Sequence, residues 1–342
     1  MAPVVRALSL HYQIRQHIVL TGQHRGLADA FAGLSVHQLD FDLRSKSIAE
    51  ICDGLRGEVA RFLKDDPPDL VIVHGDTTSA YAGALAAKDC GIAVAHVEAG
   101  LRSFDINRPW PEEGNRIAID AIADLLFAPT EVAATNLAIE PEVTGTIHVT
   151  GNSGIDALLQ AARGADYPGR RSSRKTIIVT CHRRENQGEA LARICETLKK
   201  LVEQFPVRIA YIMHPNRHIR AAVEARLRGV AHIDLLEPMD HADMVRQILD
   251  CWIILTDSGG LQEEGPALGK PVLVLRDVTE RVEAPANVEL VGTRPAAIIA
   301  GVNRLLMNDT YYARMAQPAM PFGDGQAAPR IAMLIEQWLA RS

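Results

Sequence analysis

Three acidic groups stand where apolar runs stop. Leu70-Val71-Ile72-Val73 leads into His74-Gly75-Asp76-Thr77-Thr78, Ile92-Ala93-Val94-Ala95 into His96-Val97-Glu98-Ala99-Gly100-Leu101-Arg102, and Pro109-Trp110-Pro111-Glu112-Glu113-Gly114-Asn115-Arg116 reads as a rigid loop entering a helix. Carboxylates gathered at one edge of a parallel sheet can move protons, provided burial or a neighbouring carboxylate raises their pKa toward neutrality. Downstream, Thr180-Cys181-His182-Arg183-Arg184-Glu185-Asn186 and Thr256-Asp257-Ser258-Gly259-Gly260, with Glu263-Glu264 after it, also follow apolar runs. Small residues and cations at a helix start suit a phosphate. A nearby glutamate would repel that phosphate, and so suits ribose hydroxyls better; together these point to a nucleotide.

Each residue has a plainer reading beside the chemical one. Asp76 before Thr77-Thr78 suits a helix N-cap, and His74 and His96 at strand ends suit hydrogen-bonded structural histidines. Glu112 and Arg116 are four apart, so an i,i+4 pair worth roughly 0.3 kcal/mol accounts for both without catalysis. Glu98 is different: Ala99-Gly100 offers little side chain to cover it, so function outweighs structure there. His214 after Ile212-Met213, and Arg281 in Thr279-Glu280-Arg281, extend the polar rim of the second group. Cys181 beside His182 is set aside as a nucleophile, because sequence neighbours rarely form a nucleophile-base pair. A Walker lysine loop, HExxH and clustered Asp-x-Asp ligands do not occur, so no metal dependence is expected.

The elements that must position these residues read as β-α-β units. Short apolar runs alternate with helix-length amphipathic stretches: 70–73, 92–95, 125–128 and 147–150, then 176–179, 208–212, 233–236, 252–255 and 272–275. Met1 to Leu8 reads as a helix. At 342 residues two domains are expected. The polar, Gly/Pro-containing stretch Arg163 to Ser173 marks their boundary, giving a first domain over 1–165, a second over 174–325 and a terminal helix over 326–342 packing back toward the first. Net charge −6 argues against nucleic-acid binding, which needs a basic face. Five scattered cysteines form no zinc or disulfide pattern and fit a reducing cytoplasm. No run approaches a membrane span, and no export signal is visible.

In these motifs, together with Asp257-Ser258-Gly259-Gly260-Leu261-Gln262-Glu263-Glu264 and Gly323-Asp324-Gly325-Gln326, the chain resembles the non-hydrolysing UDP-N-acetylglucosamine 2-epimerases over nearly its whole length. The resemblance implies an α/β, GT-B-like architecture of two Rossmann-type doubly wound domains facing a cleft. It also implies a homodimer, no cofactor, and reversible interconversion of UDP-GlcNAc and UDP-ManNAc through anti elimination of UDP to 2-acetamidoglucal and its re-addition. Asp76, Glu98 and Glu112 would carry proton transfer and charge stabilisation, with His182 and Arg116 as further active-site groups. His214, Ser258, Gly259, Gly260, Glu264 and Arg281 would contact UDP. The family's first strand and its Gly-Thr-Arg-Pro-Glu-Ala turn would precede Met1, so the first domain is expected to lack its N-terminal strand. Val282 stands where the family has proline. The loop after Phe41-Asp42-Leu43-Arg44 is short and Gly26 follows Gln23-His24-Arg25, so activation by a second UDP-GlcNAc bound there is not expected. A GT-B glycosyltransferase and an inactive UDP-sugar-binding remnant stay open as alternatives.

Overall fold

The computed structural model describes residues 1–22, 31, 33–41, 46–165, 174–281 and 285–341; the Gln23-His24-Arg25 turn, Gly26, Asp42 to Arg44 and Val282 fall outside these. The chain forms two compact units, Met1–Ala157 with Phe322–Ser342, and Leu158–Pro321. The division therefore falls inside a helix, Ser153–Gly164, and not in the Arg163 to Ser173 stretch.

Unit 1 runs α1 (Ala2–Leu8), β1 (His17–Leu20), β2 (Ser35–Gln38), α2 (Ile48–Asp65), β3 (Leu70–His74), α3 (Thr78–Asp89), β4 (Ala93–Val97), α4 (Glu112–Ile122), β5 (Leu125–Ala128), α5 (Glu131–Ala138) and β6 (Thr146–Val149), into the helix α6 already bounded above. Helix starts follow local chemistry: Ser47 and Glu50 form a capping box on α2, and Thr77 and Thr130 cap α3 and α5. β3, β4, β5 and β6 pair in that order, all parallel, while β1 and β2 form a separate parallel pair.

A doubly wound sheet takes the order 3-2-1-4-5-6. Here β2-β1 and β3-β4-β5-β6 are two separate sheets, and a cavity of about 750 Å³ is lined from both, by Ile18 and Leu20 of β1 and by Leu70 and Ile72 of β3, together with Val5 and Ile335. β3 is as apolar as a central strand, yet Leu70, Val71 and Ile72 are only half-buried, whereas β5 is buried throughout.

Unit 2 carries β7 (Lys175–Thr180), α7 (Glu189–Gln204), β8 (Val207–Ile212), α8 (Arg217–Leu227), β9 (Ile233–Leu236), α9 (His241–Asp250), β10 (Ile253–Thr256), α10 (Gly259–Ala267), β11 (Val272–Val274), β12 (Val288–Leu290), α11 (Pro295–Met307) and α12 (Asp309–Met315). Its sheet is parallel in the order β12-β11-β10-β7-β8-β9. A core of Ile177, Val179, Ile209, Leu255, Leu273 and the inner faces of α7 and α11 covers one side, and Ile178, Ile254, Val272 and Val274 anchor the other. Burial on both faces is what continuous β-branched runs predict. The last helix, α13 (Ala327–Leu339), packs Ile331 and Ile335 with Val4 and Leu8 of α1 against β4 and β5 of unit 1. Among the described residues, no helix is long and apolar enough to cross a membrane.

Candidate active site

In unit 1 the acids sit on turns at the carboxyl ends of adjacent strands. β3 and β4 pair in register, His74 opposite Val97, so the turns that follow lie side by side. The Glu98 carboxylate reaches across Gly75, whose Cβ, if it had one, would lie 3.5 Å from Glu98 Oε2. Asp76 is the next residue. Glu98 Oε2 also lies 3.4 Å from His74 Nε2. Burial, helped by the Met1 ammonium and His96, holds the His74 imidazole well below its usual pKa, so it meets Glu98 uncharged.

Helix α4 supplies the remaining groups. Arg116 is almost fully buried and spends all three guanidinium nitrogens on two acids: Nε and Nη2 donate to Asp76 Oδ2 at 3.2 and 2.6 Å, and Nη1 donates to Glu113. The expected i,i+4 partnership with Glu112 is therefore replaced by an i,i+3 pair with Glu113 plus a tertiary pair with Asp76. Glu113 also accepts the Ser103 and Phe104 amides at 2.8 and 3.1 Å, which commits it to holding the loop ahead of the helix. Glu112 opens the same helix and is half-buried. Nor is Asp76 a cap: Thr77 takes that place on α3, accepting the Ala80 amide, and the Asp76 carboxylate goes to Arg116.

Unit 2 builds its site around one buried acid. Asp257 follows β10, and Thr256 pairs in register with Thr180 of β7, so Asp257 faces the turn after β7. It accepts the His182 and Arg183 amides and Asn186 Nδ2, each at 2.9 Å, and lies 3.1 Å from His182 Nδ1. Burial pushes its carboxyl up, but the His182 and Asn186 contacts and the Arg183 amide outweigh this and hold it at about 2. His182 stacks on His214 with ring centroids 5.6 Å apart. A cavity of about 310 Å³ is lined by His182, His214, Ser258, Gly260 and Glu264. Ser258 is the N-cap of α10. Such a pocket, with amides at a helix start and flat rings on its wall, fits an anion carrying a planar group.

Gly259 and Arg281 meet each other rather than this cavity. A Cβ on Gly259 would sit 2.8 Å from Arg281 Nη1, so only glycine admits the guanidinium. Arg281 is held by Glu263 at 2.9 Å and by Glu280, which also takes Arg276 at 2.8 Å. The two glutamates of the motif thus part company: Glu263 is buried on Arg281, whereas Glu264 lines the cavity and pairs with His241 at 3.3 Å. Cys181 is inert as a nucleophile, since burial, with Asp257 beside it, pushes its thiol well up.

Sequence reasoning assigned no role to Asp257, Asn186, Asn115, Asp120 or Arg102. Asn115 donates to the Asp76 carbonyl at 2.9 Å, and Asp120 bonds His96 at 2.6 Å. Asp76 lies 39 residues from Asn115, His96 24 from Asp120 and His182 75 from Asp257, and tertiary packing brings each pair together.

A family model described as UDP-N-acetylglucosamine 2-epimerase matches residues 6–336. The UDP-N-acetylglucosamine 2-epimerase of Salmonella typhimurium is 40% identical over 357 residues, covering 99% of this chain and 95% of the relative. The crystal structure of UDP-GlcNAc 2-epimerase from Neisseria meningitidis bound to UDP-GlcNAc superposes with a TM-score of 0.92 at 35% identity, covering 98% of this chain and 96% of that one. The Methanocaldococcus jannaschii enzyme in complex with UDP-GlcNAc and UDP gives a TM-score of 0.84 at 33% identity, covering 98% and 95%.

Proposed function

Because this chain belongs to the UDP-N-acetylglucosamine 2-epimerase family, it is a UDP-GlcNAc 2-epimerase of two GT-B-like, Rossmann-type domains, and we propose how its residues perform the reaction. Membership favours the epimerase over the glycosyltransferase alternative. The observation that supports our assignment is the juxtaposition in unit 1, where the Glu98 carboxylate lies over Gly75 while Arg116 orients Asp76.

The reaction inverts C2 of the sugar. A carboxylate takes the C2 proton, the electron pair of that C–H bond becomes the C1=C2 bond, and UDP leaves C1 with the pair of the C1–O bond, giving 2-acetamidoglucal. Re-addition of UDP at C1, with a proton delivered to the other face of C2, gives UDP-ManNAc. Asp76, Glu98 and Glu112 carry the proton transfers and balance the developing charge. Such a step needs fixed geometry, since C2 is weakly acidic. Arg116 orients Asp76. In unit 2, Ser258 and Gly260 offer amides to the pyrophosphate, His182 and His214 add donors, and Glu264 accepts hydrogen bonds from the ribose hydroxyls, while Gly259 and Arg281, which do not line the cavity, support the turn from behind through Glu263 and Glu280. The enzyme acts as a cytoplasmic homodimer in this reading, and sedimentation should show one species of twice the chain mass.

The test is incubation with UDP-GlcNAc in deuterated water. We expect UDP-ManNAc carrying deuterium at C2. Consumption of UDP-GlcNAc only on adding an acceptor would overturn the assignment in favour of transfer.

Glu264 also sets a pH dependence. The Glu264 hydrogen bond raises the His241 pKa, so the pair is intact at low pH and lost as pH rises through that raised value. A protonated His241 competes with ribose for the carboxylate. Replacing His241 by alanine should therefore tighten UDP binding about threefold at pH 6, in line with a solvent-exposed pair, and leave it unchanged at pH 9. An equal pH response in both proteins, measured by titration calorimetry, would remove Glu264 from the ribose site.

A further inference from the structure

Two fully buried polar residues, His96 in β4 and Asp120 in α4, connect the turns that carry Asp76 and Glu98. His96 Nε2 lies 2.9 Å from the Gly75 carbonyl and Nδ1 lies 2.6 Å from Asp120 Oδ1. The imidazole thus bridges a backbone carbonyl and a carboxylate. Asp120 Oδ2 takes the Gly100 amide at 3.1 Å and Arg102 Nη1 at 2.8 Å. Arg102 is itself clamped on Glu140 by two bonds of 2.7 Å.

One carboxylate thus holds the turn after β4 directly, two residues beyond Glu98, and the turn after β3 through the imidazole, one residue before Asp76. We propose that His96 and Asp120 are positioning residues for C2 proton transfer, which fix the separation and aim of the two acids. The inference rests on the epimerase reading, because that reading places both acids on the substrate.

Strand pairing alone does not set this geometry. Gly75, Glu98 and Gly100 all have positive φ (68°, 73° and 81°), so the backbone has left the regular ladder where the acids project. Among the described residues, the backbone ties across these turns run from the Gly75 amide to the Val97 carbonyl and from the Glu98 and Ala99 amides to the Phe127 carbonyl. A further constraint is needed on the Gly75 carbonyl and the Gly100 amide, and the His96–Asp120 pair supplies both ends. Gly100 cannot give way to a larger residue, since a Cβ there would sit 2.2 Å from the Ala133 carbonyl. A buried ionic cluster is poor value as a source of stability, because apolar residues of the same volume do as well or better. Its place between two proton-transferring acids gives it a use that stability does not.

The experiment compares the wild-type chain with Asp120→Asn, His96→Gln, Asp120→Glu and Leu55→Ala. Leu55 is buried in α2, which packs on α3, so its truncation is the folding control. A shift of about 1 Å in reacting groups can cost on the order of 100-fold. We therefore expect Asp120→Asn and His96→Gln to lower kcat by about 30- to 100-fold with KM for UDP-GlcNAc little changed, and to release 2-acetamidoglucal and UDP in place of epimer. Asp120→Glu keeps the charge and the fold but displaces the tie by a methylene, and should show the same pattern at about fivefold. Leu55→Ala should lose comparable thermal stability and keep its kcat and product ratio. The inference is overturned if kcat falls in step with melting temperature across all four variants, or if the Asp120 variants partition the intermediate as wild type does. Absence of C2 exchange in the wild type itself would instead remove the epimerase reading.

Discussion

Glu98→Gln should lower C2 deuterium incorporation by about 1000-fold, within the roughly 10²- to 10⁴-fold range of a lost general acid or base, while UDP binds as before. The amide is isosteric and keeps the side chain over Gly75, but it cannot accept a proton from carbon. UDP affinity is unaffected because every UDP contact assigned above lies in unit 2. A second substitution separates chemistry from architecture. Glu98 has φ 73°, a left-handed conformation that costs a residue with a Cβ about 1 kcal/mol or more and that glycine adopts freely. Glu98→Gly should therefore hold or raise the melting temperature while abolishing turnover. A residue kept for the fold would behave in the opposite way. C2 exchange in Glu98→Gln within tenfold of wild type would show that Glu98 is not a proton carrier.

The strained backbone at Glu98 also bears on how much of this molecule can be read from its residues. The nine strands expected at 70–73 through 272–275 are all present, within one or two residues of the expected bounds, because central strands such as β5, β10 and β11 are buried throughout and must be continuously apolar. β1, β2 and β12 are not legible. His17-Ile18-Val19-Leu20 is too short to separate from a turn, Ser35-Val36-His37-Gln38 is exposed along its length, and Val288-Glu289-Leu290 has only three residues. Each becomes a strand by pairing with a neighbour, and that is a tertiary event.

The same limit applies at the site. Asp76, Glu98 and the Ser258-Gly259-Gly260 turn announce themselves by following apolar runs. Arg116 invites a local explanation through Glu112, and the structure overrides it, because a buried guanidinium needs several acceptors and Asp76 reaches it from another turn. Of the pair Glu263-Glu264, composition cannot say which faces the ligand. Helical rotation decides it, turning one into Arg281 and the other toward the cavity.

Asp257 is fully buried after β10, and its loss should be felt most in unit 2. Its pKa of about 2 lies below the ordinary value of 3.8. A depressed folded-state pKa means that the native state holds the proton less tightly than the unfolded chain. The group therefore contributes its full stability above about pH 4, and loses it as pH falls toward 2. The difference corresponds to about 2 kcal/mol. Replacing Asp257 by alanine costs more, on the order of 3 to 5 kcal/mol, because it strands the His182 and Arg183 amides and Asn186 around an empty acceptor site. Urea unfolding at pH 7 should show that loss, and the acid-sensitive component between pH 4 and 2 should vanish with it. The functional consequence follows from the same bonds. Asp257 holds the His182 backbone and ring, and His182 forms the cavity wall with His214. UDP affinity in Asp257→Asn, which preserves shape but not charge, should fall at least tenfold, the factor that corresponds to about 1.4 kcal/mol. Unchanged UDP binding in a folded Asp257→Asn protein would mean that His182 does not depend on this anchor, and would detach the buried acid from the nucleotide site.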